Sequence, residues 1–174
     1  RQAERLAAHA QVRVASAVDG ETLCREAAGV SVVVVRDPLP ERLFDEARSL
    51  RGVVRHGAGL DMIPVAAASR AGVAVANVPG ANASTVAEYV VGQMIALARR
   101  LGAIDAMLRT QGWPAARGMA DSGLDLCGKT VTIVGMGAIG RAVARICAPG
   151  LGMRALWVRR TPPANEDRCC EYLS

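Results

Sequence analysis

The feature that most constrains this chain is one stretch, Lys129 to Arg160, which reads KTVTIVGMGAIGRAVARICAPGLGMRALWVRR. Lys129–Val134 is a short β-branched run, which favours a strand. It stops at Gly135-Met136-Gly137-Ala138-Ile139-Gly140. A helical pattern follows, with Ile139, Val143 and Ile146 expected on one face. A second apolar run, Ala155–Val158, ends at Arg159-Arg160. Strand, glycine turn, helix and strand, in that order, are what a dinucleotide-binding βαβ unit requires. Gly135 would permit the tight turn, Gly137 would let backbone N–H groups approach a pyrophosphate, and Gly140 would let the helix pack close to the strand. The unpaired N–H groups and positive dipole end of the helix would then hold the phosphates, with Ala138 and Ile139 at its start. The alternative is a plain βαβ unit whose glycines serve packing alone.

The rest of the chain supplies a second unit. Val30–Arg36 is an almost continuous valine run, the pattern of a parallel strand buried on both faces. It stops at Asp37-Pro38. Gly52–Arg55 and Val73–Val78 read as further strands, and Val12–Ala17 as a first one. Helices are expected at Arg1–Ala10, Glu21–Ala28, Glu41–Ser49 (with Leu43, Phe44 and Ala47 inward) and Pro64–Ala71. Strands alternating with short helices predict an α/β fold with open parallel sheets. Pro79-Gly80-Ala81-Asn82 breaks this unit, so a boundary is placed between residues 80 and 81. The longest helix follows, Ser84 to about Leu101. Ser84 or Thr85 would cap it, and Glu88 would complete a capping box. Val86, Val90, Met94, Leu97 and Leu101 share a face, and Val91, Ile95 and Ala98 widen it. Such a surface suits a subunit interface, an interdomain spine or an ordinary core helix. Ile104–Gln111 is a shorter helix closed by Gly112-Trp113-Pro114, and Ala115–Gly123 reads as a loop. The tail after Thr161 has no periodicity and is expected to be poorly ordered.

Composition removes several function classes. Of the 174 residues, 51% are apolar but only 3% aromatic, so the core must be built from Val, Leu, Ile and Ala. The formal charge of +5 is modest and scattered. With no basic stripe interleaved with aromatics, nucleic-acid binding is not expected, while a basic excess suits anionic small molecules and cofactor phosphates. The five cysteines, Cys24, Cys127, Cys147, Cys169 and Cys170, are odd in number and form no C-x-x-C pair. Free thiols in a reducing, cytoplasmic compartment are the simplest reading, and no metal site is expected. No apolar run is long enough to span a bilayer and no leader opens the chain, so no membrane partner is expected.

Two stretches carry a family likeness: RHGAGLDMIPVAAASRAGVAVANVPGANASTVAEYVVGQMIALARR and GKTVTIVGMGAIGRAVARI. They resemble the D-isomer-specific 2-hydroxyacid dehydrogenases, which include phosphoglycerate dehydrogenases and glyoxylate/hydroxypyruvate reductases. The likeness runs from about Val53 to Val158 and rests on three ordered landmarks: the GAGLD loop, the NVPGAN turn with its helix, and the glycine fingerprint. It implies a flavodoxin-like substrate domain at residues 1–80 and the first part of a Rossmann NAD(P)-binding domain at residues 81–174. It also implies a homodimer through the Ser84–Leu101 helix.

The resemblance assigns roles to particular residues. The backbone at Ala58 and Gly59 matches the part that meets the carboxylate of a small 2-hydroxy or 2-oxo acid. Val78 matches a position on the nicotinamide side of the cofactor. Gly135, Gly137, Ala138, Ile139 and Gly140 match the pyrophosphate turn. At the end of the second strand NAD-binding members carry an acidic residue, whereas this chain has Arg159, followed by Arg160 and Thr161. A carboxylate repels a 2′-phosphate and guanidinium groups pair with it. NADP(H) is therefore expected as the preferred cofactor, with NAD(H) possible; solvated arginines at a strand end are the alternative. His56 is expected to be structural or cleft-lining, since a catalytic histidine needs an orienting carboxylate, and Asn77 and Asn82 to brace turns.

The Arg, Glu and His that carry the family's chemistry lie beyond the second strand of the nucleotide domain, and no residue here matches them. No catalytic residue is assigned. The expectation is an oxidoreductase that reduces a small 2-oxo acid by hydride transfer, with this stretch an inactive, poorly stable fragment of it. The competing class is a dinucleotide-binding regulatory or dimerisation module related to dehydrogenase-like corepressors.

Overall fold

The structure, a computed structural model, describes residues 2–158, 160 and 170–172. The chain folds as two compact units, Arg1–Ala81 and Asn82–Ser174.

The first unit opens with α1 (Gln2–Ala7) and α2 (Gly20–Ala27). Asp19 caps α2 by accepting the Thr22 backbone N–H at 2.9 Å, which satisfies one of the donors a helix start leaves unpaired. Then come β1 (Val32–Val35), α3 (Leu43–Glu46), β2 (Gly52–Arg55), α4 (Val65–Arg70) and β3 (Ala74–Ala76). The three strands form one parallel sheet in the order β1-β2-β3. Its core is one cluster in which Leu43, Phe44, Ala47, Val35, Val53, Ala68 and Val73 are buried. Leu43, Phe44 and Ala47 thus point inward as their spacing predicts, although the helix is a single turn and not the nine residues of Glu41–Ser49.

The predicted strand at Val12–Ala17 does not form. Its residues lie along the surface outside any ladder, with Val14 88% exposed. The apolar pattern there is real, but a strand needs a partner edge. This segment is tied down instead by Ser16, whose backbone N–H and hydroxyl both donate to the Glu26 carboxylate.

The second unit begins with α5 (Ala83–Ala98), α6 (Leu101–Gln111) and α7 (Trp113–Ala120). Three expectations change here. The long helix ends at Ala98, because Arg99 closes it and Arg100 takes a left-handed conformation, φ 56°. The Arg99–Asp125 ion pair, the Arg100 to Ser122 Oγ bond (2.7 Å) and Leu124 N–H on Ala98 O (2.8 Å) hold that break. The capping box is absent: Asn82 is the N-cap, without a side-chain bond, and Ser84 instead donates to Glu88 at 3.4 Å. Residues 113–120 are helical and not a loop, since Gly112 ends α6 and also starts α7, with Pro114 in the first turn where its missing N–H costs nothing.

After these come β4 (Thr130–Val134), α8 (Ala138–Leu151), β5 (Arg154–Val158) and β6 (Glu171–Tyr172). They form a second parallel sheet, β4-β5-β6. Val131 and Ile133 of β4 face the same side as Ala155 and Trp157 of β5. There Val131 and Ile133 meet α8 together with Val91 and Ala87 of α5, and Trp157 packs with Ala144 of α8. The opposite face of β4 carries Thr130, Thr132 and Val134, the last 86% exposed.

Two further expectations shift. The buried face of α8 is Gly140, Val143, Ala144 and Cys147, with Ile146 partly covered, whereas Ile139 is exposed. Ile139 sits on the first turn, to one side of the stripe that meets the sheet. In the tail, Glu171 and Tyr172 form a strand. Tyr172 packs edge-on against Trp157 with ring centroids 4.9 Å apart, and Arg154 pairs with Glu171. Cross-strand aromatic and ionic contacts supply the local gain that the sequence pattern lacks. Residues 161–169, 173 and 174, on which the remainder of that expectation falls, lie outside the described residues.

Candidate functional site

Two constellations stand out, one in each unit, and each sits at the carboxyl end of a parallel sheet, where open α/β sheets bind their ligands.

In the first unit the register pairs Val35 with Arg55 and Val54 with Ala76. This brings the turn after β2, His56–Asp61, beside the end of β3. Three carbonyls of that turn are anchored. Arg55 Nη1 donates to His56 O at 2.8 Å, the Val78 backbone N–H donates to Gly57 O at 3.0 Å, and Asn77 Nδ2 donates to Ala58 O at 2.6 Å. Across a trans peptide the N–H of the next residue points opposite its carbonyl. Anchoring the carbonyls of Gly57 and Ala58 therefore aims the N–H groups of Ala58 and Gly59 away from the braces. Both residues are exposed, and no partner to either N–H is found among the described residues. Successive free N–H groups make a small anion cradle without any charged side chain. His56 is exposed, and no carboxylate hydrogen-bonds to its ring among the described residues, so it lacks the orienting group a general acid or base needs. Asn77 braces a turn, but one nineteen residues away rather than its own. Asn82 makes no side-chain cap.

In the second unit β4 runs into Gly135, whose φ of 99° is open to glycine and strained for other residues. The Gly135 N–H donates to Val158 O at 2.8 Å and ties the turn to the end of β5. A Cβ on Gly140 would collide with the Gly135 carbonyl oxygen and stand 3.1 Å from Ile133 Cγ2. Helix and strand can come this close only with hydrogen at that position. Gly137 differs: a Cβ there would meet nothing within 4 Å. The first intrahelical bond of α8 runs from Arg141 N–H to Gly137 O. The N–H groups of Ala138, Ile139 and Gly140 precede it and have no intrahelical acceptor. No acidic side chain lies in the first turn and no side chain caps it. Arg141 Nη1 donates to Met136 O at 2.9 Å, which adds a positive charge beside the turn. Among the described residues nothing compensates the positive end of α8, the arrangement that accepts a phosphate. The donor set fits a dinucleotide pyrophosphate.

Of the residues expected to read the adenosine ribose, Arg160 is exposed just past β5, while Arg159 and Thr161 lie outside the described residues. Among the described residues no group of three or more His, Cys, Asp or Glu could hold a metal ion, and no helix is long and apolar enough to cross a membrane. Cys24, Cys127 and Cys147 are free thiols; burial pushes the Cys24 and Cys147 thiols above their ordinary range.

Parallel α/β units, with a glycine turn leading into a bare helix N-terminus, define a nucleotide-binding class of protein. Comparison with known proteins narrows it. Residues 1–166 match the family described as D-isomer specific 2-hydroxyacid dehydrogenase, catalytic domain. A glyoxylate reductase of Korarchaeum cryptofilum is 39% identical over 72% of this chain and 38% of its own length. A D-3-phosphoglycerate dehydrogenase of Archaeoglobus fulgidus is 32% identical over 79% of this chain and 26% of its own. Among solved structures, the TT0316 protein of Thermus thermophilus superposes with a TM-score of 0.83 at 28% identity, over 98% of this chain and 55% of that one. The chain belongs to the D-isomer specific 2-hydroxyacid dehydrogenase family, a family of nicotinamide-dependent oxidoreductases acting on 2-hydroxy and 2-oxo acids. It spans less than half the length of these curated relatives.

Proposed function

We propose that this chain supplies the substrate-carboxylate cradle and the dinucleotide turn of an enzyme that reduces a small 2-oxo acid, such as glyoxylate or hydroxypyruvate. The single observation that carries this reading is the turn at Gly135–Gly140. Gly135 and Gly140 are demanded by the chain's own geometry, while a Cβ on Gly137 would meet nothing within 4 Å among the described residues. That third glycine is explained by a ligand whose phosphates come close to the backbone.

The N–H groups of Ala138, Ile139 and Gly140 bind the pyrophosphate, and Arg141 adds charge beside it. Val78, whose own N–H holds the cradle through Gly57 O, matches the position that meets the nicotinamide in the family the chain resembles. The N–H groups of Ala58 and Gly59 take the substrate carboxylate and orient the 2-oxo carbon. The bound nicotinamide supplies the hydride. NADP(H) is the preferred form because the sequence has Arg159, Arg160 and Thr161 where NAD-binding members carry an acidic residue, whose carboxylate would repel a 2′-phosphate. No residue of the chain matches the family's Arg, Glu and His, so the 174-residue polypeptide binds both ligands and does not turn them over.

The partner expected for the helical layer is a second copy of the chain. Tyr89 and Leu97 of α5 and Leu101 and Leu108 of α6 are exposed, and α6 buries none of its residues. This apolar surface favours a homodimer and, on its own, also the competing reading of a dimerising, dinucleotide-responsive module.

Titration with NADPH and NADH, followed by Trp113 and Trp157 fluorescence, tests the cofactor half. Saturable binding of NADPH, tighter than NADH, is expected. No response to either dinucleotide rejects the reading. Glyoxylate reduction by the chain alone would reject the assignment of turnover to residues it does not contain.

A further inference from the structure

We propose that Arg55 is a positioning residue for the carboxylate cradle, holding Ala58 and Gly59 in binding geometry from beneath; this rests on the cradle reading given above. The guanidinium lies at the carboxyl end of β2, and its Nη1 is shared between two carbonyls of adjacent chain segments. One is Val35 O, at the end of β1, at 3.1 Å. The other is His56 O, at the start of the turn, at 2.8 Å. Val35 O also accepts the His56 backbone N–H at 3.0 Å. The cation thus bolts the first peptide of the turn to the neighbouring strand. Gly57 follows directly, and a Cβ there would stand 3.4 Å from Arg55 Cζ, so the turn passes in contact with the guanidinium.

Two observations set Arg55 apart from an ordinary surface arginine. Its Nε is buried with no hydrogen-bond partner, a cost that surface arginines avoid by turning to water. Among the described residues it forms no ion pair with a carboxylate, although six other arginines do. The side chain is held inward by two carbonyls alone. Charge-assisted bonds to carbonyls are stronger than neutral ones, so Arg55 anchors the proximal end of the turn while Val78 and Asn77 anchor Gly57 and Ala58. Removing the Arg55 side chain leaves the His56 carbonyl without its side-chain donor, so the peptide is held only by its backbone bonds to Val35 and Arg55 and the donors downstream are aimed less firmly.

The test uses the 15N-labelled 174-residue chain and its Arg55→Gln and Arg55→Lys variants. Glyoxylate is the probe, with amide shifts and amide hydrogen exchange as readouts. In the wild type, glyoxylate should shift the Ala58 and Gly59 amides. In Arg55→Gln, exchange at the hydrogen-bonded His56, Gly57 and Val78 amides should rise and glyoxylate affinity should fall about tenfold, the scale of one charge-assisted bond. Exchange at Val53 and Val75 should stay unchanged. Arg55→Lys, which keeps the charge and can reach one carbonyl, should recover part of both effects, and it carries the test if Arg55→Gln does not fold. Unchanged exchange and affinity in both variants overturn the proposal. Lost affinity with unchanged exchange also overturns it, because Arg55 would then meet the ligand directly. A wild type whose Ala58 and Gly59 amides do not respond removes the cradle itself, a failure distinct from that of Arg55 alone.

Discussion

Asn77 Nδ2 donates to the carbonyl of Ala58 at 2.6 Å, across nineteen residues of sequence. One side chain at the end of β3 thereby sets which way a peptide in the turn after β2 faces. Asn77→Ala should release the Ala58 carbonyl and let the Gly59 N–H rotate. Stability should fall by about 0.5–1.5 kcal/mol, the net worth of one such bond. Glyoxylate binding should weaken several-fold more than that of a dinucleotide, whose proposed site is the glycine turn of the other unit. Urea melts and amide-shift titrations measure the two effects separately.

Gly140→Ala puts a methyl group against the Gly135 carbonyl oxygen and the Ile133 side chain. The helix must move off the strand or the turn must open, a cost of about 1–3 kcal/mol for overpacking. Because the same turn carries the pyrophosphate donors, dinucleotide affinity should fall with stability. Gly137→Ala is the contrast: no atom of the described residues lies within 4 Å of its Cβ position, so stability should change little while dinucleotide binding falls. Thermal melts alongside NADPH titration separate the two glycines. Equal losses in both variants would mean that Gly137 serves the fold.

What the sequence made legible and what it hid follow from the range of the forces. The role of Gly140 is local, a close approach within one strand–turn–helix, so spacing alone announced it. Val32–Val35 could be read as a parallel strand, but not one buried on both faces: Val35 is buried while Val32 and Val34 are 52% and 56% exposed, because composition reports strand preference and not what covers each face. The segment Val12–Ala17 looks equally strand-like, yet pairing is a contact with a distant edge that local pattern cannot guarantee. The helix at residues 113–120 was hidden because Gly112 reads as a stop when it also serves as a start. Arg55 and Asn77 brace the turn after β2 only through the register of three strands. Sequence could mark that turn by its glycines, but not the side chains that aim it.

The thiols should react in order of exposure and thiolate content. The thiolate is the nucleophile, and burial raises the Cys24 and Cys147 thiols, so both stay protonated at neutral pH. Cys127 is exposed. Brief iodoacetamide treatment at pH 7.5 followed by peptide mass spectrometry should find Cys127 modified first, with Cys24 and Cys147 protected until denaturant is added. Early labelling of Cys147 would show that the face of α8 against β4 opens readily.

Acid should loosen α2 before the sheets. The backbone N–H of Thr22 holds the Asp19 carboxyl below its usual range, and Ser16 does the same for Glu26. A carboxylate lowered on folding contributes stability that is fully present above its ordinary value, about 4. That contribution is lost as pH falls through the lower, folded value. From pH 5 to pH 3 the amides of Ser16 and Thr22 should lose protection ahead of Val53 and Val75. Asn at position 19 keeps a capping oxygen without the charge, so Asp19→Asn should flatten this dependence at Thr22 and leave it intact at Ser16. Hydrogen exchange across that range reads both sites in one experiment.

Cofactor preference is the reading most open to a single substitution. Arg159 follows β5, whose last residue, Val158, ties to the glycine turn through Gly135. The family resemblance matches position 159 to the residue that meets the adenosine ribose. A guanidinium there stabilises a 2′-phosphate, and a carboxylate repels it while accepting bonds from ribose hydroxyls. Arg159→Asp should weaken NADPH binding and strengthen NADH binding, changing their ratio by about ten- to a hundredfold, the range of one charge-assisted pair. Arg160→Ala should weaken NADPH binding less and leave NADH unchanged. Fluorescence titrations with both dinucleotides supply the ratio. If Arg159→Asp leaves that ratio where it was, the arginines at the strand end serve solubility and the NADP(H) preference falls.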